Sequence, residues 1–330
     1  MEMSQTGVIK IPERIVNQLL KAHYGVYNHS TVEICHWTKK SMKNQGVCYK
    51  RVFYGIDSHR CIEFSPAGMM CTMKCIFCWR PMEFMKKVDM GFDEVDDPIT
   101  LMEGLMKERR RLMSGYPGMP NVDFQKLDEA WEPTHYAISL SGEPTLYPRL
   151  PELIKYLKSL PATRSIYIVS NGLQPDMIKR MMDEDALPTQ LYISMSAPNE
   201  EVMRKVDKPL YPDAWDRYMK TLELLSQVDT RTVIRMTMIK DVNALDEYIP
   251  EYVELLQLAN PHFIEVKSYM HLGYSTKRLT KANMMSMDDI RRFSRKMLRR
   301  LDGFRYMDEY PPSRIAVLQN MVRYVDRWIP

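Results

Sequence analysis

Three cysteines lie within eight residues of the stretch Cys71-Thr72-Met73-Lys74-Cys75-Ile76-Phe77-Cys78-Trp79-Arg80-Pro81, with the spacing C-x3-C-x2-C. Three thiolates on one tight loop can each bind one iron of a [4Fe–4S] cluster, which leaves the fourth iron without a protein ligand. Zinc sites favour C-x2-C motifs that come in pairs, and unrelated buried thiols have no reason to cluster. The spacing therefore predicts an iron–sulfur cluster held by Cys71, Cys75 and Cys78.

The chain holds three further cysteines, Cys35, Cys48 and Cys61, with twelve residues between neighbours. Residues 1–20 lack a secretory signal, and no apolar run approaches the ~20 residues of a membrane-spanning helix. We therefore expect a cytoplasmic protein without membrane association, and in that compartment sets of cysteines bind metal more often than they form disulfides. Two triads account for all 6 Cys, which predicts a second [4Fe–4S] cluster.

Strand-like runs alternate with amphipathic helical stretches from residue 61 onward. Strands are predicted at residues 61–65, 135–140, 165–170, 190–195, 232–239 and 262–267, and helices at 98–113, 149–159, 176–183, 212–226 and 246–259. This alternation is typical of a parallel sheet wound in βα units, whose carboxyl-end loops form the active site. We predict an α/β fold with a partial (β/α)6 barrel over residues 61–275. An N-terminal extension, residues 1–60, carries the second triad, and a basic helical extension covers residues 276–330.

The formal net charge of +4 is concentrated near the C-terminus. Residues 277–300 contain nine Lys or Arg and two acidic residues, a local charge of +7, whereas the rest of the chain carries −3. The capping box Ser286-Met287-Asp288-Asp289 predicts that a helix begins there. A solvated face is the ordinary explanation for such charge, but its concentration favours attraction to a polyanion. We predict RNA contacts by Arg291, Arg292, Arg295, Lys296, Arg299 and Arg300.

The first triad, with Phe77 just before its last cysteine, resembles the signature of radical S-adenosylmethionine (SAM) enzymes. In that superfamily the open iron chelates SAM and passes it one electron, which releases a 5′-deoxyadenosyl radical. Ser141-Gly142-Glu143 resembles the superfamily's GGE element, with Ser141 in place of the first glycine. Small polar residues also follow the later strands in the superfamily's order. The resemblance implies SAM contacts by Gly142, Glu143, Ser170, Asn171, Ser194, Ser196 and Arg235.

Lys50 lies two residues after Cys48. An ordinary lysine is solvated and unreactive. Burial beside a metal-bound cysteine would instead lower the pKa of the amine and make it a nucleophile toward a carbonyl carbon. From its position alone, Lys50 is therefore either a solvated lysine or a catalytic one.

Both triads and their flanks resemble the archaeal 4-demethylwyosine synthases of the wyosine pathway. The similarity includes Gly46-Val47-Cys48-Tyr49-Lys50 and Phe77-Cys78-Trp79-Arg80-Pro81, and it extends through residues 141–148, 194–199 and 265–273. The resemblance implies two [4Fe–4S] clusters, SAM as cofactor and a catalytic role for Lys50. Eukaryotic relatives carry an additional flavodoxin-like domain, for which this chain has no room. We therefore expect a separate one-electron donor of the ferredoxin or flavodoxin type.

The resemblance also implies a reaction. The family condenses pyruvate with N1-methylguanosine, which lies 3′ of the anticodon in tRNA(Phe), and forms the tricyclic base of 4-demethylwyosine. The adenosyl radical removes hydrogen from the N-methyl group, the resulting methylene radical adds to the keto carbon of pyruvate, and the carboxyl carbon is expelled. Pyruvate would be held as a Schiff base on Lys50, by the open iron of the second cluster, or by both. A monomer is expected.

Two alternative functions remain open from the sequence alone. Another radical SAM enzyme with an auxiliary cluster would share the first triad, but it would not require Lys50 or the spacing of the second triad. A zinc-binding RNA-binding module would have no catalytic activity. Anaerobic purification distinguishes these classes, because a brown protein with iron and sulfide indicates clusters and a colourless protein with zinc does not.

Overall fold

The computed structural model describes residues 2–3, 7–81 and 89–329. These residues contain twelve strands and eleven α-helices, which are joined by loops and short 3-10 helices. The strands are β1 Glu2–Met3, β2 Ile9–Lys10, β3 Tyr24–Tyr27, β4 Ser30–Glu33, β5 Cys61–Ser65, β6 His135–Ile138, β7 Ser165–Ser170, β8 Gln190–Met195, β9 Arg231–Met238, β10 Phe263–Ser268, β11 Phe304–Tyr310 and β12 Ile315–Asn320. The helices are α1 Glu13–Lys21, α2 His36–Ser41, α3 Tyr49–Tyr54, α4 Pro98–Met113, α5 Phe124–Ala130, α6 Leu150–Ser159, α7 Pro175–Asp183, α8 Glu200–Val206, α9 Ala214–Leu225, α10 Ile249–Ala259 and α11 Met287–Leu298. Within the described ranges, no helix is long and apolar enough to cross a membrane.

The six strands β5 to β10 are parallel and lie side by side in chain order. Helices occupy the connections between consecutive strands, as the alternating pattern predicts. The α/β fold with a partial (β/α)6 barrel is therefore confirmed, and the carboxyl ends of these strands form one mouth.

Antiparallel hairpins extend the barrel sheet at both edges. Strands β3 and β4 pair next to β5, and strands β12 and β11 pair next to β10. None of these four strands is among those predicted from the sequence. Strand β11 contains no buried residue, so it lacks the alternation by which a half-buried strand is recognised. The C-terminal segment thus contributes a hairpin as well as the predicted helix.

The two faces of the parallel strands bury different side chains, because successive residues of a strand point to opposite faces. Ile168, Ile193 and Ile234 belong to a cluster that includes residues of α6, α9 and α10 outside the barrel. On the inner face, Tyr167 and Tyr192 pack instead with residues of α3. We call the space enclosed by this inner face the lumen.

Helix α3 lies within the lumen. Its residues Tyr49, Phe53 and Tyr54 are buried against inner-face residues of the strands, and the Tyr54 hydroxyl donates to Glu265 on β10 at 2.9 Å. The C-terminal residues cover this helix, since Ile329 N–H donates to the Tyr54 carbonyl at 2.9 Å. Part of the N-terminal extension therefore fills the centre of the barrel.

Candidate active site

The loop after β5 carries the first cysteine triad and is braced by the loop after β6. Gly142 has a φ of +70°, and a Cβ at this position would lie 2.1 Å from the Ala67 carbonyl oxygen. The N–H of Glu143 donates to the Met70 carbonyl at 2.7 Å. Only glycine allows this close approach, so Gly142 supports the cysteine loop immediately before Cys71.

The Glu143 carboxylate connects three strand ends. It accepts hydrogen bonds from the N–H and the hydroxyl of Thr145 at 3.1 and 2.6 Å, and from the N–H of Asn171 at 2.7 Å. The Asn171 amide donates to the Thr72 hydroxyl at 3.0 Å and to Cys71 Sγ at 3.8 Å. Burial raises the pKa of Glu143. The network fixes Asn171 beside the first triad.

A cavity of about 90 Å³ adjoins this loop, and its lining includes Cys75, Phe77, Asn171, Ser194, Ser196 and Asp207. Three residues predicted to bind SAM thus line one cavity with a cysteine of the first triad. Gly142 and Glu143 brace the loop, and Ser170 accepts a hydrogen bond from the N–H of Gly172 at 3.0 Å.

Asp207 is a residue of this cavity that is not predicted from the sequence. The Ser196 hydroxyl donates to its carboxylate at 2.5 Å, and the Cys75 thiol is a second hydrogen-bond partner. Burial raises the pKa of Asp207 to about 6. Asp207 follows α8 rather than a strand, so no strand-end pattern marks it.

The segment after β10 holds the other side of the cysteine loop. Arg278 donates to the carbonyl oxygens of Ile76, at 3.0 Å, and Cys78. The N–H of Tyr274 donates to the Trp79 carbonyl at 3.0 Å, and a Cβ on Gly273 would lie 2.3 Å from the same oxygen. One basic residue of the C-terminal segment thus supports the cluster loop.

The second triad comes together from three element ends. Cys35 precedes α2, Cys48 precedes α3, and Cys61 begins β5. Burial raises the pKa of each thiol, that of Cys61 to about 12, and the charges of Cys48 and Cys61 both act on Cys35. The backbone N–H of Lys50 donates to Cys48. Hydrogen bonds to sulfur and burial are two factors that set the potential of a cluster.

Lys50 extends from α3 into the lumen and is buried, with 7% of its surface exposed. Its Nζ lies 4.2 Å from the ring centre of Tyr167 and 4.8 Å from that of Tyr192. Burial, and next the charge of Arg235, lower the pKa of Lys50. The solvated interpretation of Lys50 is therefore wrong for this structure.

Arg235 lies in the lumen near Lys50. Its Nε donates to Glu265 at 3.0 Å, and its Nη2 donates to the Tyr49 hydroxyl. Neither partner lines the cavity beside the first triad. The contacts of Arg235 thus give no support to SAM binding, which stays a prediction from resemblance. On the same face lies Lys267, a half-buried lysine that no sequence pattern indicates, and desolvation lowers its pKa to about 8.

The residues around both triads fit iron–sulfur clusters better than a single metal ion. Within residues 7–81 and 89–329, no three His, Cys, Asp or Glu side chains converge on one ion position. A cluster does not require such convergence, because each thiolate binds a different iron. The side chain of Arg109 on α4 is fully buried, and its three guanidinium nitrogens have no hydrogen-bond partner among the described residues. The charge of Cys61 acts on this guanidinium, which fits an anionic group at the second triad.

The capping box at the start of α11 is confirmed, since Ser286 Oγ accepts the N–H of Asp289 at 3.1 Å. Several of the basic side chains on this helix already have acidic partners. Arg291 binds Asp288 at 2.6 Å and forms a bidentate pair with Glu309. Arg292 pairs with Asp289 and Lys296 with Asp246.

The side chains of Arg295, Arg299 and Arg300 form no ion pair or hydrogen bond with the described residues, and all three are exposed. The helix begins near the mouth, because Met285 N–H donates to Ser268 at the end of β10. It ends near Phe304, which pairs with Asn320 at the opposite end of the sheet. Arg299 and Arg300 therefore lie away from the mouth.

Comparison with known proteins agrees with the fold and the first triad. Residues 66–256 match the Radical SAM superfamily, and residues 258–320 match the family described as Wyosine base formation. The chain is therefore a radical SAM enzyme, a class that uses SAM and an iron–sulfur cluster.

Individual relatives show to which family of radical SAM enzymes the chain belongs. The S-adenosyl-L-methionine-dependent tRNA 4-demethylwyosine synthase of Pyrococcus abyssi is 45% identical over 310 residues, which cover 93% of this chain and 89% of that protein. The synthase of the same name from Methanocaldococcus jannaschii is 40% identical over 326 residues, or 96% and 99% of the two chains. The chain belongs to the tRNA 4-demethylwyosine synthase family. A solved structure described as "Structure of TYW1 with a lysine-pyruvate adduct bound" superposes with a TM-score of 0.85 at 37% identity and covers 96% of this chain and 99% of that one.

Proposed function

We propose that this enzyme condenses pyruvate with N1-methylguanosine of tRNA(Phe) to form the tricyclic base of 4-demethylwyosine. The observation that carries the proposal is the buried lysine Lys50, which lies in the lumen beside the second triad. A relative that covers nearly the whole chain has a lysine-pyruvate adduct. Lys50 is the lysine that we assign to such an adduct here.

The surroundings of Lys50 suit an amine that reacts with a carbonyl. The rings of Tyr167 and Tyr192 lie next to its Nζ, and no carboxylate of the described residues forms an ion pair with it. Burial and the positive charge of Arg235 both favour the neutral amine. A neutral amine can attack the keto carbon of pyruvate, and the rings exclude water from the product.

Residues on two sides would hold the cofactors. We propose that Cys71, Cys75 and Cys78 hold the cluster that binds SAM, and that Asn171, Ser194 and Ser196 contact SAM in the adjacent cavity. Cys35, Cys48 and Cys61 would hold a second [4Fe–4S] cluster. When bound, the first cluster and SAM supply a radical that can take hydrogen from an unactivated methyl group. Asn171 positions the loop, because its amide donates hydrogen bonds to the Thr72 hydroxyl and Cys71 Sγ.

The tRNA must present its methylguanosine at the mouth, where the cavity lies. A base that is removed from its stack in a loop can reach such a site. We retain the exposed arginines of α11, Arg295, Arg299 and Arg300, as proposed phosphate contacts. Arg291, Arg292 and Lys296 receive less support because acidic residues already pair with them. A separate one-electron donor, a ferredoxin or flavodoxin, and a monomeric state complete the proposal.

Nucleoside mass spectrometry tests the proposed reaction. The reconstituted enzyme is incubated with methylguanosine-bearing tRNA, SAM, a reductant and pyruvate labelled with carbon-13 at carbons 2 and 3. A tricyclic nucleoside that contains both labelled carbons supports the proposal. Pyruvate labelled only at carbon 1 should leave the product unlabelled. A product that forms equally well without pyruvate would refute the assignment of the substrate.

A further inference from the structure

The lumen contains three basic side chains, of which Lys50 is buried and the other two are half-buried. Lys50, Arg235 and Lys267 all lie there, and the charge of Arg235 lowers the pKa of both lysines. The Glu265 carboxylate is occupied by the Tyr54 hydroxyl at 2.9 Å and Arg235 Nε at 3.0 Å. Among the described residues, no carboxylate forms an ion pair with Lys267.

Glu63 is a half-buried carboxyl group on the inner face of β5. Burial raises its pKa, and the charges that affect it most belong to Arg80, Glu33 and Lys50 rather than to Lys267. Lys267 is half-buried, and no acidic side chain of the described residues forms an ion pair with its ammonium, so this charge is available to an anion bound in the lumen.

The register of the strands locates this anion. Lys267 is opposite Thr237, two residues beyond the pair of Glu265 and Arg235 toward the carboxyl ends of the strands. Two residues of a strand span about 7 Å. Lys267 therefore lies between the level of the Arg235–Glu265 pair and the mouth, on the same face of the sheet. The charge of Cys48, two residues before Lys50, acts on Lys267 as well.

We propose that Lys267 binds the carboxylate of the keto acid whose carbonyl carbon reacts with Lys50. The inference rests on the function proposed above. An α-keto acid carries its carboxylate next to its carbonyl, so one molecule can meet both lysines. The Lys50 amine adds to carbon 2, one water molecule leaves, and a carbon–nitrogen double bond replaces the carbonyl. No electron is transferred, and the carboxylate stays paired with Lys267 throughout.

Arg235 is a weaker candidate for this role. Its Nε and Nη2 donate to Glu265 and the Tyr49 hydroxyl, so its orientation is fixed by the protein. Removal of Arg235 would leave Glu265 buried without its ion-pair partner, and such a change destabilises a protein whatever the substrate does. Lys267 can be changed without that loss.

Borohydride trapping tests the assignment without turnover. Reconstituted wild type, Lys267→Met and Lys267→Arg are titrated with carbon-14 pyruvate, reduced with borohydride, and read by label on the Lys50 peptide. In parallel, unlabelled pyruvamide, the neutral amide of pyruvate, is titrated and its adduct is read by mass. Lys158→Met is the matched control, because Lys158 is exposed on α6.

Loss of a hydrogen bond to a charged group should raise the half-saturating pyruvate concentration of Lys267→Met roughly 10- to 100-fold. The same maximal label on Lys50 and the same iron content would show that the variant is folded. Its preference for pyruvate over pyruvamide should disappear. Lys267→Arg should keep most of that preference, and Lys158→Met should match the wild type.

Two results would contradict the proposal in different ways. Unchanged half-saturation in Lys267→Met would overturn the role of Lys267 alone. Wild type that traps no pyruvate on Lys50 would overturn the proposed function and this assignment with it. If Lys267→Met fails to load its clusters, the comparison of pyruvate with pyruvamide in the wild type tests the proposal. Equal affinity of the wild type for the two compounds would exclude a lysine that binds the carboxylate.

Discussion

The Nζ of Lys50 lies 4.2 Å from the centre of the Tyr167 ring. Tyr167 belongs to the inner face of β7, whereas Lys50 belongs to a short helix that precedes the first strand of the barrel. The contact shows that the segment carrying the second triad enters the lumen. The lysine and the second triad therefore face the same interior that opens, at the mouth, onto the cavity beside the first triad.

The two triads should bind iron independently. Reconstituted protein should hold about eight irons per chain if each triad carries a four-iron cluster. Replacing Cys71, Cys75 and Cys78 by Ala should remove about half of the iron and abolish SAM cleavage. Replacing Cys35, Cys48 and Cys61 should remove the other half but leave SAM cleavage. Iron and sulfide analysis checks both, and full iron in either triple variant would exclude that triad as a ligand set.

Arg109→Met should stabilise the cluster-free protein and should make the midpoint potential of the second cluster more negative. Without the anion, a buried guanidinium with no partner is costly, so cluster-free Arg109→Met should resist urea better than the wild type. With the cluster bound, loss of a positive charge should make its midpoint potential more negative. Redox titration followed by EPR, in a background without the first triad, measures this.

Arg110→Met is the control for Arg109, because Arg110 is its exposed neighbour on α4. Equal potentials in Arg109→Met and Arg110→Met would show that Arg109 does not balance the cluster.

Arg295, Arg299 and Arg300 changed together to Glu should weaken tRNA binding. For every phosphate that the variant no longer binds, the slope of log affinity against log salt should flatten by ~0.7 to 0.9. Lys107, Lys158 and Lys220, exposed on α4, α6 and α9, provide a control with the same change of charge. Fluorescence anisotropy at several salt concentrations reads the effect. If both triple variants bind alike, α11 is only a solvated surface.

Arg291→Glu should act on stability instead of RNA binding. Its bidentate pair with Glu309 joins α11 to β11, and this pair, above all its hydrogen bonds, lowers the pKa of Glu309 to about 2. A glutamate at position 291 would face Glu309 and Asp288. We expect a lower melting temperature with little change in the salt slope, and a normal melting temperature would contradict this.

Stability should fall as the pH decreases from 6.5 to 4. Burial lowers the pKa of His135 and of His262 to about 4, whereas an unfolded histidine titrates near 6.5. Between these values the unfolded chain binds more protons, so the stabilisation is complete above pH 6.5 and is lost by about pH 4. Urea unfolding at pH 7.5 and 5.0 checks this. In the double variant His135→Gln and His262→Gln, the free energy of unfolding should differ less between pH 7.5 and pH 5.0 than in the wild type. An equal difference would show that these two histidines do not cause the loss of stability.

The parts of the site that are local in sequence could be predicted. The spacing of Cys71, Cys75 and Cys78 is enough to predict a site for an iron–sulfur cluster. The alternation of strands and helices is enough to place Asn171, Ser194 and Ser196 at one edge of the sheet. These residues do line one cavity with Cys75. The order of β5 to β10 likewise follows from the tendency of consecutive strands in βα units to lie next to each other in the sheet.

The remaining features depend on contacts between distant segments. Nothing near Lys50 indicates that α3 packs inside the barrel against Tyr167 and Tyr192. The acidic partners of Arg291 include Glu309, which is eighteen positions away on a strand without a recognisable pattern. Lys267 is one lysine among many until the register of β9 and β10 places it near Arg235 and Glu265.

The central claim is that Lys50 is required for the product but not for the radical. The most direct test compares the amounts of 5′-deoxyadenosine and tricyclic nucleoside that wild type, Lys50→Ala and the control Lys158→Ala form from tRNA, SAM and pyruvate. We expect Lys50→Ala to bind both clusters and to form 5′-deoxyadenosine with no tricyclic nucleoside, and Lys158→Ala to form both. Normal amounts of the tricyclic nucleoside from Lys50→Ala would contradict this role of Lys50.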